Sequence, residues 1–328
     1  MNLPQFLQPV PPDVAVEVEA THVAAARLDW RGATATVTAH TIERLPAGVV
    51  VPALAAPNIT DVAVVGRALT QALSRLGGRT RRVALVIPDT TAKVSLVRFE
   101  NVPPKAADLD ELVRWQIKKT SPFPLDDAIV SYTPGLKHPD GQEFVVAAAR
   151  QDIVQQYEQA CTSAGAHPGL VDLATFSIIN GVLSQKALLA GDWLLVHVTG
   201  TYTTLAVIRE GSLIFFRNRA SDEEGTLADL VHQTAMYYED RLQGAGFARV
   251  FLAGAAIDPA GADAVRRSLE ERLGLRVEAV DPRAAASVID RISPSADLLD
   301  ALAPLVGILL RERKALRLAD ARSGQAAL

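Results

Sequence analysis

The sequence predicts an α/β protein built from two structurally related halves, and three observations lead there. The first is a repeat. VEVEATHVAAARLDWRGATATVTA, from Val16 to Ala39, and VHVTGTYTTLAVIREGSLIFFRN, from Val196 to Asn218, share a strand–turn–strand–turn–strand pattern at an offset of 180 residues. Val16 falls on Val196, Val18 on Val198, Thr21 on Thr201 and Leu28 on Ile208, and Gly32 meets Gly211 after a one-residue slip. The second is that each copy is followed by helical stripes and buried-looking strands, a mixture that reads as α/β. The third is bulk composition. A chain of 328 residues with 49% hydrophobic and 21% charged residues has enough apolar surface for two folded cores. The offset is far longer than the roughly 20–50 residues of a solenoid repeat, so the reading is two halves rather than an array. In folds of this kind the turn after the first strand of each half presents backbone amides to phosphate.

The elements follow in order. Residues 1–12 carry four prolines and read as an irregular lead-in. After the first three-strand unit, a proline-bearing loop leads to a helix from about Asp61 to Leu76, closed by Gly77 and Gly78. RRVALVIPD supplies a buried strand at 83–87, and VSLVRFE another near 94–100. A helix then carries Leu109, Leu112, Val113 and Ile117 on one stripe and stops at Pro122. A strand at about 128–133, a polar turn at Pro139-Asp140-Gly141 and the strand FVVAAA complete what reads as a small α+β module, about 95–150, inserted into the first half. A helix from Gln151 to Ser163, the strand GLVDL and a helix over 174–188 finish that half, placed at 12–190. The second half, 191–318, opens with WLLVHV. It continues with a helix striped by Leu227, Leu230, Val231, Ala235, Tyr238 and Leu242, the strand RVFLAGAA, a helix at 260–273, the strand LRVEAV and a last helix from about Asp297 to Arg317. Residues 319–328 read as a mobile tail.

Charge and motifs exclude several function classes. A net charge of −4 and a pI near 5.9 give no basic domain for nucleic acid. The single cysteine, Cys161, has no internal disulfide partner and reads as a packed thiol, which fits a reducing compartment. The N-terminus lacks the features of a secretory signal, and no stretch approaches the ~20 apolar residues of a membrane span. The expectation is a cytoplasmic protein that reaches a membrane only through a partner. The six histidines show no metal-ligand spacing, so no metal site is expected. Nucleophile elbow, P-loop and dinucleotide fingerprints are absent.

Five segments together resemble one family: VAVEVEATHVAAARL, WQIKKTSPFPLDD, AGAHPGLVDLATFSIING, REGSLIFFRN and APLVGILLRE. In order and spacing they are similar to the actin-like ATPases, and within them to the type IV pilus assembly protein PilM family, cytoplasmic relatives of the cell-division protein FtsA. The related cytoplasmic domain of type II secretion systems stays an alternative within the class. The resemblance implies an actin-like two-domain fold with duplicated RNase H-like halves. It also implies an adaptor that binds the N-terminal cytoplasmic segment of a PilN-like single-pass inner-membrane protein, with self-association a further expectation.

Nucleotide-binding members read roughly D-x-G-S at the first phosphate turn, D-x-G at the second and Gly-Gly at the adenosine turn. Here the first turn reads Glu17-Val18-Glu19-Ala20, with Glu19 in the glycine position and Ala24 where a lysine is usual. At the second turn His197 replaces the aspartate and Thr199 the glycine, and one glycine, Gly254, remains at the adenosine turn. A carboxylate repels phosphate and its Cβ restricts the backbone. The cleft residues Glu17, Ala20, Thr21, Gly200, Thr201, Thr203 and Gly254 are therefore read as a degenerate nucleotide site, with either no cofactor or weakly bound ATP or ADP. An active ATPase or sugar-kinase-like phosphotransferase using Glu17 is the competing enzymatic reading.

Individual residues have plainer roles to weigh against these. Glu17 and Glu19 form an acid/base pair on one reading and a solvated strand end on the ordinary one. His197 reads as a hydrogen-bonded structural histidine. Arg311, Arg313, Lys314 and Arg317 fit a helix C-terminus, whose dipole they complement. In the module, Phe123 between Pro122 and Pro124, together with Trp115 on the preceding helix, reads as an anchor for a partner. The ordinary alternative is that Phe123 plugs the module's own core.

Overall fold

The computed structural model describes residues 12–32, 34–77, 82–185, 190–255, 259–289 and 294–325. Gly78 and the lead-in before Pro12 lie outside them. The chain begins with a meander of β1 (Val14–Val18), β2 (His22–Arg31) and β3 (Thr34–Arg44), followed by α1 (Val62–Arg75) and β4 (Arg82–Ile87). Asp61 starts α1 by accepting a hydrogen bond from the Val64 amide at 3.0 Å. The module comprises β5 (Ala92–Phe99), α2 (Ala106–Lys118), β6 (Ala128–His138) and β7 (Gly141–Arg150). Then come α3 (Gln151–Ser163), β8 (His167–Leu173) and α4 (Ala174–Leu183). The second meander is β9 (Trp193–Val198), β10 (Tyr202–Arg209) and β11 (Ser212–Ala220). It leads to α5 (Leu227–Leu242), β12 (Arg249–Ala253), α6 (Pro259–Leu273), β13 (Val277–Ala279), β14 (Ser287–Val288) and α7 (Ala296–Gln325).

The two large sheets have the same strand order. One runs β14-β3-β2-β1-β4-β8 and the other β11-β10-β9-β12-β13, so each meander continues into two parallel strands. The correspondence holds residue by residue. Glu17 pairs with Ala24 as His197 pairs with Thr204, and each long hairpin carries an irregularity, at Arg27/Leu28 and at Val207/Ile208. The amides of Glu19 and Thr199 donate to the carbonyls of His22 and Tyr202, both at 2.9 Å.

Alternation along the central strands sorts the core. Val14, Val16 and Val18 face α1 and α3, where Val65, Leu69, Ile153 and Tyr157 complete a buried cluster. Ala15 faces the other side and packs beneath Leu302, Leu305, Val306 and Leu309 of α7. In the second half, Leu194 and Val196 face Leu230, Val231 and Tyr238 of α5, whereas Trp193 and Leu195 face Ile178 and Val182 of α4. The small alanines of β1 and β2 admit a helix close to the sheet.

Some boundaries differ from the sequence reading. α4 ends at Leu183, earlier than expected, and β6 runs on to His138 because, after an irregularity between Pro134 and Lys137, it pairs with β7 again up to the turn. The second half does not extend unbroken to residue 318. After β13 the chain returns to the first sheet, where β14 pairs with β3 and α7 covers β1, β2 and β4. The segment read as a tail is helical to Gln325, and residues 326–328 lie outside the description. The module is a separate three-stranded sheet, β5-β7-β6, with α2 on one face. Val145 of β7 also joins the cluster around Trp193, which ties the module to the second half.

α4 and α7 cross where Gly181 faces Gly307. A Cβ on Gly307 would overlap the carbonyl oxygen of Ser177 in the facing helix. Alanine improves helix propensity by about 1 kcal/mol, but the overlap pushes two packed helices apart. Gly307→Ala is expected to destabilise by about 2 kcal/mol net in urea unfolding. A neutral or stabilising effect would mean that the crossing is looser than the structure has it.

Candidate functional site

The turns after β1 and β9 face each other across a cleft between the halves. Glu17, Glu19, Thr21 and His22 form one wall; His197, Val198, Thr199, Gly200 and Gly254 form the other. The first turns of α7 close the end with Asp297, Asp300, Ala301 and Pro304. Of the residues read as a degenerate nucleotide site, Glu17, Thr21, Gly200 and Gly254 line the cleft, whereas Ala20, Thr201 and Thr203 do not. The free volume is about 50 Å³, against roughly 300–1,000 Å³ for a pocket that holds a drug-sized ligand.

The two side chains in the glycine positions occupy the amides a phosphate would need. Glu19 Oε2 accepts from the Ala20 amide at 2.9 Å. Thr199 Oγ1 accepts from the amides of Thr201 and Tyr202 at 3.2 and 3.1 Å. Each turn is thus capped by its own side chain. Gly254 is required for a different reason. Its φ is +79°, and a Cβ there would overlap the Val198 carbonyl oxygen, so the glycine serves packing of β12 against β9. The walls thus combine four carboxyl groups, two self-capped turns and a small free volume.

Glu17 and Glu19 are not at a solvated strand end. They are 4% and 7% exposed, because α7 and the second half cover the end of β1. Burial, then the charges of Glu19 and Asp89, hold the Glu17 carboxyl well above the usual carboxylate range. Burial also raises Glu19, more than the Ala20 amide lowers it. His22 is pushed down to about 4 by burial and stands 3.9 Å from Glu17 Oε2.

Behind the cleft lies a buried hub that the sequence reading missed. Asp89 follows Pro88 at the end of β4 and is fully buried. Its Oδ1 accepts from the Thr175 amide at 3.0 Å, and its Oδ2 accepts from the Thr175 and Thr204 hydroxyls, the latter at 2.7 Å. Thr204 accepts in turn from Asn218 Nδ2 at 2.8 Å, and His197 Nδ1 lies 2.9 Å from Thr175 Oγ1. Because the Thr175 hydroxyl donates to Asp89, it accepts from His197, which assigns the ring proton to Nδ1. His197 is a hydrogen-bonded histidine inside this network. Asp89 was legible only as a carboxylate at the C-terminal end of a buried strand, where open α/β sheets place polar function. Asp172, at the end of β8, repeats the pattern and pairs with Arg311 of α7, so Arg311 does more than complement a helix end. The side chains of Arg313, Lys314 and Arg317 lie outside the described residues. Burial pushes the Cys161 thiol up to about 12, which leaves it unreactive.

The two partner candidates separate. Phe123 is only 8% exposed and packs with Phe99, Val113, Ile117 and Phe144 inside the module. The anchor reading of Phe123 is corrected to that of a core plug: the proline-bounded turn folds it under α2. Trp115 is 63% exposed on the outer face of α2, with the Lys119 ammonium 6.0 Å from its ring.

Residues 15–240 match the family described as Type IV pilus assembly protein PilM. No curated protein matches the sequence. Among solved structures the chain is similar to one in the "PilM-PilN type IV pilus biogenesis complex", at 16% identity and a TM-score of 0.77, with 91% of this chain and 97% of that chain covered. It is more distantly similar to the ethanolamine utilization protein EutJ from Carboxydothermus hydrogenoformans (12% identity, TM-score 0.48, 92% of this chain and 91% of that chain covered). The cytoplasmic domain of EpsL from the Vibrio cholerae type II secretion system stands at 12% identity and a TM-score of 0.45, with 92% and 94% covered. The fold is the actin-like α/β fold with duplicated halves.

Two outcomes are expected from this geometry. Asp89→Ala leaves two hydroxyls and an amide without their acceptor and should cost about 2–3 kcal/mol in urea unfolding, with Thr204→Val costing about 1 kcal/mol. A loss for Asp89→Ala within the ~0.5 kcal/mol of an ordinary surface change would remove the hub from the stability argument. The second concerns pH. Folded Glu17 holds its proton above the ordinary 4.5, so above that pH the folded state binds more protons than the unfolded state and stability falls as pH rises. Glu17→Gln removes that slope. Unfolding measured at about pH 8 and about pH 4 should show the variant gaining on the natural chain at the higher pH; equal effects at both would contradict a raised carboxyl.

Proposed function

The chain belongs to the PilM family of type IV pilus assembly proteins, and from that premise we propose that it is an adaptor without nucleotide turnover, docking the N-terminal cytoplasmic segment of a PilN-like inner-membrane protein. The observation that carries the reading is the self-capping of both phosphate turns by Glu19 and Thr199. A site whose amides are consumed internally lacks the preorganised donors that phosphoryl transfer needs. The similar chain from the PilM–PilN complex supports the choice of partner. Among the described residues no helix is long and apolar enough to cross a membrane, and on this proposal the membrane is reached through that partner.

The module is the proposed docking region. Residues near the end of α2 (Ile117, Thr120, Ser121) and of β5 and β7 (Lys93, Ser95, Val146, Ala148) line a small depression in the module surface. A short segment that orders on contact would dock on the surface of the module, where Trp115 is the exposed aromatic on the outer face of α2. Exposed aromatics supply much of the energy in such interfaces.

The test is titration of the purified chain with the N-terminal peptide of the PilN-like protein encoded with it. Thr120→Trp, which adds bulk at the depression, and Trp115→Ala should each weaken binding at least tenfold, about 1.4 kcal/mol, while His197→Ala binds normally. Circular dichroism confirms that all three fold. Normal binding by both module variants with loss in His197→Ala would move the docking site to the cleft. Steady Mg²⁺-dependent phosphate release above a Glu17→Ala control would overturn the non-enzymatic half of the reading.

A further inference from the structure

Three buried carboxyl groups meet where the halves face each other, and they are not equally provided for. Asp89 is met by the Thr175 amide and by the Thr175 and Thr204 hydroxyls, so its charge is answered. Glu17 on β1 and Glu19 in the turn that follows lie close enough to Asp89 to feel that charge. His22 Nε2 is 3.9 Å from Glu17 Oε2, beyond hydrogen-bond range. Glu19 has the Ala20 amide, and His197 and the Tyr202 hydroxyl also favour its charge, yet burial outweighs all three. The free space beside the pair is about 50 Å³, a few water sites at roughly 10–15 Å³ each. That is too little water to hydrate two more carboxylates next to an ionised one, so the closed cleft keeps Glu17 and Glu19 in their neutral forms.

The element that shuts this space is also loosely held. Asp297, Asp300, Ala301 and Pro304 of α7 close the end of the cleft. Residues 302–310 of that helix are all buried, whereas residues 296–301 are exposed or half-buried. At the boundary Pro304 has no amide proton to offer the Asp300 carbonyl, and a helix bends most readily at such a break.

We propose that the first turns of α7 are a proton-operated lid, closed over the cleft while Glu17 and Glu19 hold their protons and released when the two carboxyls ionise and draw water in. The sign follows from linkage. In the open form both groups meet water and titrate near the ordinary 4.5. Above that pH the closed form binds more protons, so closure weakens as pH rises, by up to about tenfold per pH unit for each proton. The groups facing the pair come from several elements. Burial keeps His22 of β2 neutral down to about pH 4 and holds Tyr157 of α3 and Tyr202 of β10 as neutral phenols. His197 of β9, Asp89 after β4, and Asp297 and Asp300 of α7 complete the surroundings. A ligand that prefers one form of the lid would bind with uptake or release of protons. The lid covers the cleft and not the module, so this inference stands or falls apart from the partner reading.

The experiment is hydrogen–deuterium exchange of the full chain at about pH 5, 6.5 and 8, corrected for the base-catalysed rise of the intrinsic rate. Peptides covering residues 296–303 and 16–22 should open more with each step in pH, while a peptide from β7 should not. The Glu17→Gln/Glu19→Gln double variant, neutral at every pH, should stay closed throughout. A pH-independent lid, or the same rise in β7, would overturn the proposal. So would a slope that survives in the double variant, since it would belong to His197 or to the acids of α7. Should the double variant not fold, infrared spectra of the natural chain labelled with ¹³C-glutamate carry the test: protonated-carboxyl bands must fade over the pH range in which residues 296–303 loosen, and loosening without that loss overturns the lid.

Discussion

The arrangement of the two halves rests on the full burial of the Asp89 carboxylate. A charge removed from water must be met by donors, and here they come from α4, through Thr175, and from the second sheet, through Thr204. His197 and Asn218 hold those two hydroxyls in place from the far side. The network spans the interface that separates the halves, so the cleft geometry is fixed by the protein's own side chains. The Asp172–Arg311 pair braces the same region from α7, the helix that leaves the second half and closes over the first.

On the proposal of an adaptor without turnover, the cleft walls are free of the constraints that phosphate binding imposes. A nucleotide site keeps glycine in its turns so that bare amides reach the ligand. Here both turns carry longer residues whose oxygens fold back onto those amides, Glu19 in one half and Thr199 in the other. The substitutions differ chemically yet reach the same end, a turn satisfied from within. The carboxylate version also buries a second carboxyl group beside Glu17.

The module shows how the same segment can look functional and be structural. Pro-Phe-Pro sets Phe123 in a restricted turn, and the restriction serves the core: the ring lies against Phe99, Phe144 and the inner stripe of α2. The outer face of that helix displays Trp115 instead. Two aromatics eight residues apart in the chain (115 to 123) thus end on opposite sides of one small sheet-and-helix unit.

Local pattern was enough for the repeat, because register, turn geometry and β-branched alternation are all written within about 25 residues of chain. The overlay of Val16 on Val196 predicted equivalent strands, and the matching pairings, irregularities and sheet order follow from it. Helix stripes such as that of α5 and the cap at Asp61 were equally legible. Burial at a strand end was not. Glu17 and Glu19 read as solvated because nothing near them in the chain announces that α7, nearly 300 residues later, and the turn after β9 will cover them. Asp89 was invisible for the same reason: its donors lie 86 and 115 residues away. Sequence alone determined the halves, their strands and the loss of the glycines. Tertiary structure decided which polar groups lost their water, since desolvation depends on what packs over a residue and not on what stands beside it in the chain.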